Sequence, residues 1–212
     1  MSGILITAFE PFGGDSLNPS QEVLRDFPEF LYAKKVIKAV LPVVYNHNFD
    51  RLLPLIEKHE PDVILLLGYA KGRSHLCVER IGINICDSPT PDALGNVLSN
   101  RPIVKGGVDG LFSTLPLSLL EKRYKELNLP AKLSNTAGAY VCNNLFYKTL
   151  HHIKLYNLQT KVGFIHLPAL PSQASRENIP SMGHQQMTEI LIQTLDAILN
   201  PFDIREFGQE VE

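Results

Sequence analysis

The sequence predicts a single α/β domain over residues 1–212, and three observations lead to this prediction. A length of 212 residues is typical of one domain that buries a sizeable core. Residues 63–67 form an uninterrupted aliphatic run, which is typical of a central parallel strand covered on both faces. Near the start of the chain, an apolar strand pattern leads through a glycine-containing turn into a helix start, where α/β folds commonly place ligands.

The first elements are defined by an apolar run and a turn. Residues 3–9 have the length of a buried first strand. A proline and two glycines within residues 10–15 force a turn, after which Asn18 is predicted to cap a helix with Pro19 at its first position. The chain contains no G-x-G-x-x-G and no G-K-[ST], so this turn is not a phosphate-binding loop.

The remaining elements alternate between strand and helix patterns. Further strands are predicted at 34–44, 62–67, 77–85, 132–135 and 161–167, and helices near 49–56, 115–127, 140–153 and 182–199. Residues 88–110 are a long, proline- and glycine-rich loop, of the kind that often forms a lid or an interface. Residues 168–181 are a second loop, and residues 201–212 form a polar, acidic tail.

Composition and charge exclude several classes of function. The hydrophobic fraction of 44% and the charged fraction of 20% are typical of a globular protein. The formal net charge is −2 and lysines and arginines form no stripe, so neither nucleic acid nor an acidic membrane surface is expected as the main partner. Because there is no basic leader and no apolar run of membrane-spanning length, we expect a cytoplasmic protein.

The cysteines point to a free thiol. The chain has three cysteines, Cys77, Cys86 and Cys142. An odd number without C-x-x-C spacing argues against a disulfide framework and a zinc ribbon. Cys142 follows small, turn-prone residues and precedes an apolar pattern at helical spacing. A thiol at a helix start lies near unpaired N–H groups, which are expected to lower its pKa and can also hold an oxyanion. For a lone cysteine, a buried structural thiol is the alternative interpretation.

Two further residues have the chemistry that a nucleophilic thiol requires. His166 lies at the C-terminal end of a predicted buried strand. Glu79 shares a predicted strand face with three isoleucines, where a carboxylate needs a partner: either Arg80 or a surface lysine, or a histidine. An imidazole can take up the proton of a thiol and return it to a leaving group, and a third group fixes the imidazole's tautomer. Spacing alone does not bring these residues together.

Two predicted loops can line a common cleft. The segments 10–15 and 68–73 each follow a strand, and the C-terminal ends of parallel strands meet at one edge of a sheet. Phe9 and Phe12 flank the first of these loops. They are expected either in the core or in the wall of a ligand pocket.

Four groups of motifs resemble the pyroglutamyl peptidase I (pyrrolidone carboxyl peptidase) family of cysteine peptidases. They are TAFEPFGG at 7–14 with NPS at 18–20, ERI at 79–81 with Asn84, NTAG at 135–138 with YVCN at 140–143, and FIHLP at 164–168. These motifs span nearly the whole chain, in the family's order and at family-like separations. Together they are a specific signature.

The resemblance implies an enzyme that removes an N-terminal pyroglutamyl residue from peptides. It implies that Cys142 is the nucleophile, that His166 is the general base and acid, and that Glu79 orients His166. It also implies walls and backbone partners for the lactam ring, the walls at Phe9, Phe12, Tyr140 and Val141 and the partners near Asn18 and Tyr69. Pyroglutamate is uncharged and has no free α-amine, so apolar walls and a few amide partners suit it.

The same resemblance implies a fold and an assembly, and the sequence departs from the family's usual pattern at two positions. The fold is an open, largely parallel α/β/α sandwich, often assembled as a homotetramer, and neither a metal nor another cofactor is expected. Pro89 stands where many bacterial members have an arginine, and Lys71 where a small residue or proline is more common. Asp92 matches a family aspartate that we interpret as structural.

Two other functions compete with the peptidase. Pro89 motivates a non-catalytic α/β protein that binds pyroglutamyl peptides with impaired turnover. A metal-dependent hydrolase is the third hypothesis, but the chain lacks H-E-x-x-H or a similar cluster.

Overall fold

A seven-stranded sheet forms the centre of the protein. The computed structural model describes residues 3–201, except for the side chains of residues 176 and 177, so the tail predicted at 201–212 lies outside the described residues from 202 onward. The strands are β1 (Ile4–Phe9), β2 (Phe30–Leu31), β3 (Lys34–Leu41), β4 (Val63–Tyr69), β5 (Leu76–Glu79), β6 (Ile81–Ile83), β7 (Cys86–Ser88), β8 (Leu98–Arg101), β9 (Gly110–Phe112), β10 (Ala131–Ser134) and β11 (Lys161–Leu167). The helices are α1 (Pro19–Asp26), α2 (His47–His59), α3 (Leu117–Glu126), α4 (Val141–Leu155), α5 (Pro171–Glu177) and α6 (His184–Leu199).

The sheet is open and largely parallel, which confirms the predicted fold class. Its strand order is β10-β5-β11-β4-β1-β3-β2. The β1–β3, β1–β4, β4–β11 and β5–β10 pairs are parallel. The β5–β11 and β2–β3 pairs are antiparallel. Two small antiparallel pairs, β6–β9 and β7–β8, lie outside this sheet.

Helices cover both faces of the sheet and enclose two hydrophobic cores. Buried side chains of α1, α3 and α6 pack in the core on one face. Buried side chains of α2 and α4 pack in the core on the other face. Within residues 3–201, no helix combines the length and the apolar character needed to cross a membrane.

The pleat of the central strands decides which side chains face α4. Along β4, Val63, Leu65 and Leu67 join the core beneath α1 and α6. Ile64 and Leu66 join the core beneath α2 and α4. These five side chains are at most 1% exposed, which confirms the prediction of a central strand buried on both faces. Since successive side chains alternate between faces, residue parity assigns each strand residue to one core.

Three sequence-based element predictions need correction. The strand predicted at 77–85 is wrong, because β5 ends at Glu79 and the chain leaves the sheet to form β6 in a separate pair with β9. Glu79 therefore shares no strand with the following isoleucines. Within the predicted loop 88–110, β8 pairs with β7. Within the predicted loop 168–181, Pro171 begins the short helix α5.

Asp92 organises the turn between β7 and β8. Its carboxylate accepts hydrogen bonds from the backbone N–H groups of Tyr45 at 3.1 Å, Leu94 at 2.9 Å and Asn96 at 2.9 Å. The residue is 3% exposed. These contacts support the structural interpretation of Asp92, which holds the segment against the start of α2.

Candidate active site

Cys142 is the second residue of α4, as the sequence predicts. Tyr140 caps the helix with extended backbone, at φ −102° and ψ −162°. The preceding loop turns at Gly138, whose φ of +77° lies in the left-handed region that favours glycine. The thiol is partly exposed, whereas Cys77 and Cys86 are buried.

Two asparagines after the cysteine fix the first turn of α4. The Asn143 side chain accepts a hydrogen bond from the Ile83 N–H at 2.9 Å and donates to the carbonyls of Ile83 at 2.8 Å and Ile85 at 3.0 Å. Asn144 Oδ1 accepts from the Asn46 N–H at 3.2 Å. Both asparagines are at most 1% exposed. Sequence reasoning missed this clamp, although Asn143 stands in the motif that contains the cysteine.

Glu79 and His166 form a buried pair on the face that carries α4. His166 Nδ1 lies 2.7 Å from Glu79 Oε1. Glu79 is fully buried and His166 is 5% exposed. Since a carboxylate accepts, the Nδ1–H donates, and in the neutral ring Nε2 is then left as the proton acceptor. Of the alternative partners for Glu79, the structure shows the histidine.

Gly68 brings the histidine and the cysteine together. In the parallel β4–β11 pair, His166 is the partner of Gly68. A Cβ atom built on Gly68 would lie 3.2 Å from Cys142 Sγ. The nucleophile candidate and the imidazole therefore flank the same glycine at the C-terminal end of β4.

A second partner of Glu79 is an arginine that sequence reasoning missed. Arg73 Nη1 lies 2.8 Å from the same Glu79 oxygen, Oε1. Arg73 Nη2 also donates to the Thr136 carbonyl at 3.3 Å. The arginine proposed from the sequence was Arg80, but the ion pair is made by Arg73 from the loop after β4.

Burial is the main influence on the protonation of Cys142 and His166. Burial, with the Glu79 charge adding to it, raises the pKa of the Cys142 thiol to about 12, although Arg73 and the Cys142 backbone N–H act in the opposite direction. Burial also lowers the pKa of His166, and the hydrogen bond and charge of Glu79 offset only part of that effect. The expectation that the helix start lowers the thiol pKa is therefore wrong for the net effect. Helix-terminus effects are about 0.3–1 kcal/mol, and the desolvation of a thiol packed against the core outweighs them here.

A cleft of about 240 Å³ contains Cys142 and all the pocket residues that the resemblance implied. Its lining comprises Phe9, Phe12, Gly13, Asp15, Leu17, Asn18, Val43, Tyr69, Lys71, Tyr140, Val141 and Cys142. A larger cavity of about 810 Å³ opens at the opposite edge of the sheet, where β3, β4 and β11 begin, and none of the predicted site residues lines it. The chemistry of the side chains therefore places the candidate site in the smaller cleft.

Aromatic rings form the apolar walls of this cleft. The ring centroids of Tyr140 lie 6.1 Å from Phe12 and 5.5 Å from Tyr45. The Tyr140 hydroxyl donates to the Pro91 carbonyl at 2.8 Å, which ties the wall to the β7–β8 turn. Phe9 is 3% exposed and packs in the core beneath α4, so it serves both the core and the cleft.

The remaining predicted positions differ in their access to the cleft. The Asn18 side chain donates to the Glu10 carbonyl at 3.0 Å and accepts from the Ser20 N–H at 3.0 Å, so it caps α1 as predicted. Backbone groups near Asn18 are therefore the expected partners of a ligand, as the resemblance implied. Lys71 lines the cleft, whereas Pro89 is exposed and is not part of its lining. Among the described side chains, which exclude those of residues 176 and 177, no group of three or more His, Cys, Asp or Glu residues is arranged to hold a metal ion.

Comparisons with known proteins identify the family of this chain. The family model described as pyroglutamyl peptidase matches residues 2–200. The pyrrolidone-carboxylate peptidase of Thermococcus onnurineus is 41% identical over 194 residues, covering 90% of this chain and 97% of the relative. That of Thermosipho africanus is 38% identical over 201 residues, covering 94% and 98%.

Solved structures are similar over almost the whole chain. The pyroglutamyl peptidase I of Bacillus amyloliquefaciens has a TM-score of 0.89 at 33% identity, covering 98% of this chain and 100% of the other. The pyrrolidone carboxyl peptidase of Pyrococcus furiosus has a TM-score of 0.90 at 34% identity, covering 94% and 99%. With these matches over both sequence and fold, the chain belongs to the pyroglutamyl peptidase family of cysteine-type hydrolases.

Proposed function

We propose that the protein hydrolyses the bond after an N-terminal pyroglutamyl residue of peptides, with Cys142 as nucleophile, His166 as base and acid, and Glu79 orienting His166. One observation carries this proposal. The Glu79–His166 hydrogen bond of 2.7 Å lies beside the same glycine as the Cys142 thiol, at a small aromatic cleft. The aromatic and apolar residues of the cleft provide the uncharged walls that a lactam ring requires.

The thiol is activated when the substrate arrives. Because the pKa of Cys142 is raised and that of His166 is lowered, both groups are neutral at rest. His166 Nε2 accepts the thiol proton as Sγ attacks the carbonyl carbon of the pyroglutamyl residue, and the first-turn N–H groups of α4 stabilise the oxyanion. The imidazolium then gives its proton to the leaving amine, which leaves a thioester on Cys142.

Water completes the cycle. His166, neutral again, accepts a proton from a water molecule that attacks the thioester carbonyl. Collapse of the second oxyanion releases free pyroglutamate, and the proton returns to the Cys142 sulfur. Glu79 accepts the Nδ1–H throughout, so Nε2 carries the proton exchange in each step.

The direct test is release of a chromogenic amine from a pyroglutamyl anilide in the presence of a thiol reductant. Wild type is expected to release the amine, and Cys142→Ala to release none while still folding. If folded, reduced wild type binds a pyroglutamyl ligand and never cleaves the anilide, the non-catalytic binding protein replaces the peptidase. Pro89, the residue that motivated this alternative, is exposed and outside the lining of the cleft.

We also propose that the protein is a homotetramer of single-domain subunits in the cytoplasm. The support is the family resemblance, together with large apolar side chains on the surface such as Leu94, Phe112 and Tyr156, which are 72%, 70% and 63% exposed. Where such side chains join into a contiguous patch, they mark an interaction site. Light scattering at several protein concentrations tests the assembly, and a monomeric mass at all concentrations contradicts it.

A further inference from the structure

We infer that Arg73 is a positioning residue of the reaction, whose guanidinium keeps the Glu79 carboxylate aimed at His166 and ties it to the loop that leads to Cys142. The inference rests on the proposed function, because it assigns Arg73 a place in the machinery of that same site. Arg73 is expected to act through Glu79 and the loop without contacting the substrate.

The geometry at one carboxylate oxygen supports this role. Glu79 Oε1 lies 2.8 Å from Arg73 Nη1 and 2.7 Å from His166 Nδ1. One oxygen thus receives two donors from different elements, the loop after β4 and strand β11. A movement of the Arg73 guanidinium therefore changes the direction from which the His166 N–H can approach Glu79 Oε1. Charge-assisted contacts of this kind are stronger than neutral hydrogen bonds.

The burial of Glu79 explains why a cation is needed. Its side chain is fully buried, whereas that of Arg73 is 26% exposed. Among the described residues, Glu79 Oε2 has no hydrogen-bond partner, so Oε1 takes all the donors. An ionised carboxylate in such a place costs several kcal/mol unless it is paired. Neutral His166 supplies one hydrogen bond and no charge, so the positive charge comes from Arg73.

Arg73 also links the carboxylate to the nucleophile. Its Nη2 donates to the Thr136 carbonyl at 3.3 Å. The Thr136 hydroxyl accepts from the Gly138 N–H at 3.0 Å, at the turn that leads to Cys142. A planar guanidinium can reach both acceptors with fixed geometry, whereas a lysine ammonium is a point charge on a flexible chain. The Arg73 guanidinium therefore connects the position of the Glu79 carboxylate with the loop that leads into α4.

The charges around the pair give this role a pH signature. Glu79 is faced by Arg73 from its loop, by His166 from β11 and by Cys142 from α4, and Cys77 of β5 lies against Arg73. The Arg73 charge lowers the pKa of His166 and that of Cys142, while Glu79 raises both. Removing Arg73 leaves burial as the remaining effect that lowers the pKa of His166 against Glu79, so that pKa rises. Since a base must be unprotonated, the acid limb of kcat/KM moves to higher pH.

The test compares Arg73→Gln and Arg73→Lys with wild type in pyroglutamyl anilide hydrolysis over a range of pH. Arg73→Gln is expected to lower kcat by about 10- to 100-fold, part of what a positioned base contributes, and to move the acid limb to higher pH. Arg73→Lys keeps the charge, so its acid limb is expected to stay near that of wild type. Its kcat is expected to fall less than that of Arg73→Gln. Arg51→Gln, at an exposed position on α2, is the matched control and is expected to behave as wild type.

Two results overturn the inference. The first is an acid limb of Arg73→Gln that stays in place or moves to lower pH, since a merely structural role would lower the rate without an upward shift. The second is a kcat of Arg73→Lys equal to that of wild type, which would show that the planar guanidinium is not needed. If Arg73→Gln does not fold, as judged by circular dichroism, the kcat of Arg73→Lys decides alone.

A second readout separates failure of the inference from failure of the proposed function. Alkylation of Cys142 by iodoacetamide, followed by mass spectrometry, requires no turnover. Because the Arg73 charge lowers the pKa of Cys142, folded Arg73→Gln is expected to react more slowly than wild type at pH values near neutrality. If wild type cleaves no anilide, the peptidase proposal fails while this comparison still tests Arg73. Equal alkylation rates in the two proteins overturn the inference.

Discussion

Gly68 and Cys142 approach so closely that no side chain fits between them. A Cβ atom on Gly68 would lie 3.2 Å from Cys142 Sγ and 2.7 Å from Cζ of Phe164. Gly68 is also the register partner of His166. Because Gly68 has no side chain, the end of β4 leaves room for the Cys142 thiol and the His166 imidazole to approach each other.

Gly68→Ala should therefore damage both stability and catalysis. The added methyl group must displace the Phe164 ring or the Cys142 thiol, and such overpacking typically costs about 1–3 kcal/mol. We expect the free energy of unfolding, from urea denaturation, to fall by that amount and anilide turnover to fall with it. Gly183→Ala is the control, because its Cβ would meet no atom within 4 Å. Equal effects of the two substitutions would show that space at Gly68 is not limiting.

Asn143→Ala should lower kcat more than it raises KM. The change removes three hydrogen bonds from the fully buried Asn143 side chain to the backbone of Ile83 and Ile85, although the Ile83 carbonyl keeps its bond from the Ile85 N–H. We expect a loss of about 2–4 kcal/mol in the free energy of unfolding. Because the first turn of α4 then shifts, Cys142 and the oxyanion donors lose their alignment. Stopped-flow or steady-state anilide kinetics on the folded variant measure this, and an unchanged kcat would contradict it.

Cys142 should be alkylated before the other two cysteines in the native protein. It is partly exposed, whereas Cys77 and Cys86 are buried. Since its pKa is raised to about 12, the rate should increase with pH through the alkaline range, where the thiolate fraction grows. Mass spectrometry of peptides after brief iodoacetamide treatment distinguishes the three sites. Comparable modification of all three, or none at Cys142, would count against this.

The sequence contained the reacting groups but not their electrostatic setting. Cys142 and His166 were predicted at a helix start and a strand end, and these positions are set by local patterns. The Asn143 clamp joins residues 60 positions apart in the sequence, which no local pattern predicts. The pKa of Cys142 depends on burial by tertiary packing, and this outweighs the local helix effect that the sequence suggested.

Glu79 illustrates the same limit at a strand end. Arg80 was expected beside it because the segment was interpreted as one continuous strand. The chain leaves the sheet at Arg80, whose N–H donates to the Ser134 carbonyl at 2.8 Å. Arg73 reaches Glu79 from the loop that joins β4 to β5, with Nη1 2.8 Å from Glu79 Oε1. Which arginine pairs with Glu79 is therefore decided by the path of a loop, and residue type and spacing do not determine that path.

Stability should fall in mild acid because His166 is held neutral. Burial lowers its pKa in the folded protein, whereas the imidazole of the unfolded chain titrates near about 6.5. Below that value the unfolded state binds more protons than the folded state, so the free energy of unfolding rises with pH and is lost as the pH falls toward the folded pKa. His152 contributes with the same sign, since burial also lowers its pKa.

Urea denaturation of wild type, His166→Gln and His152→Gln at a series of pH values between about 7.5 and 5 checks this dependence. We expect the wild-type curve to have the steepest fall. His166→Gln should flatten it more than His152→Gln, because His166 is 5% exposed, whereas His152 is only partly buried. If the His166→Gln curve runs parallel to that of wild type, His166 has the same pKa in the folded and unfolded states. The lowering of that pKa by burial would then be wrong.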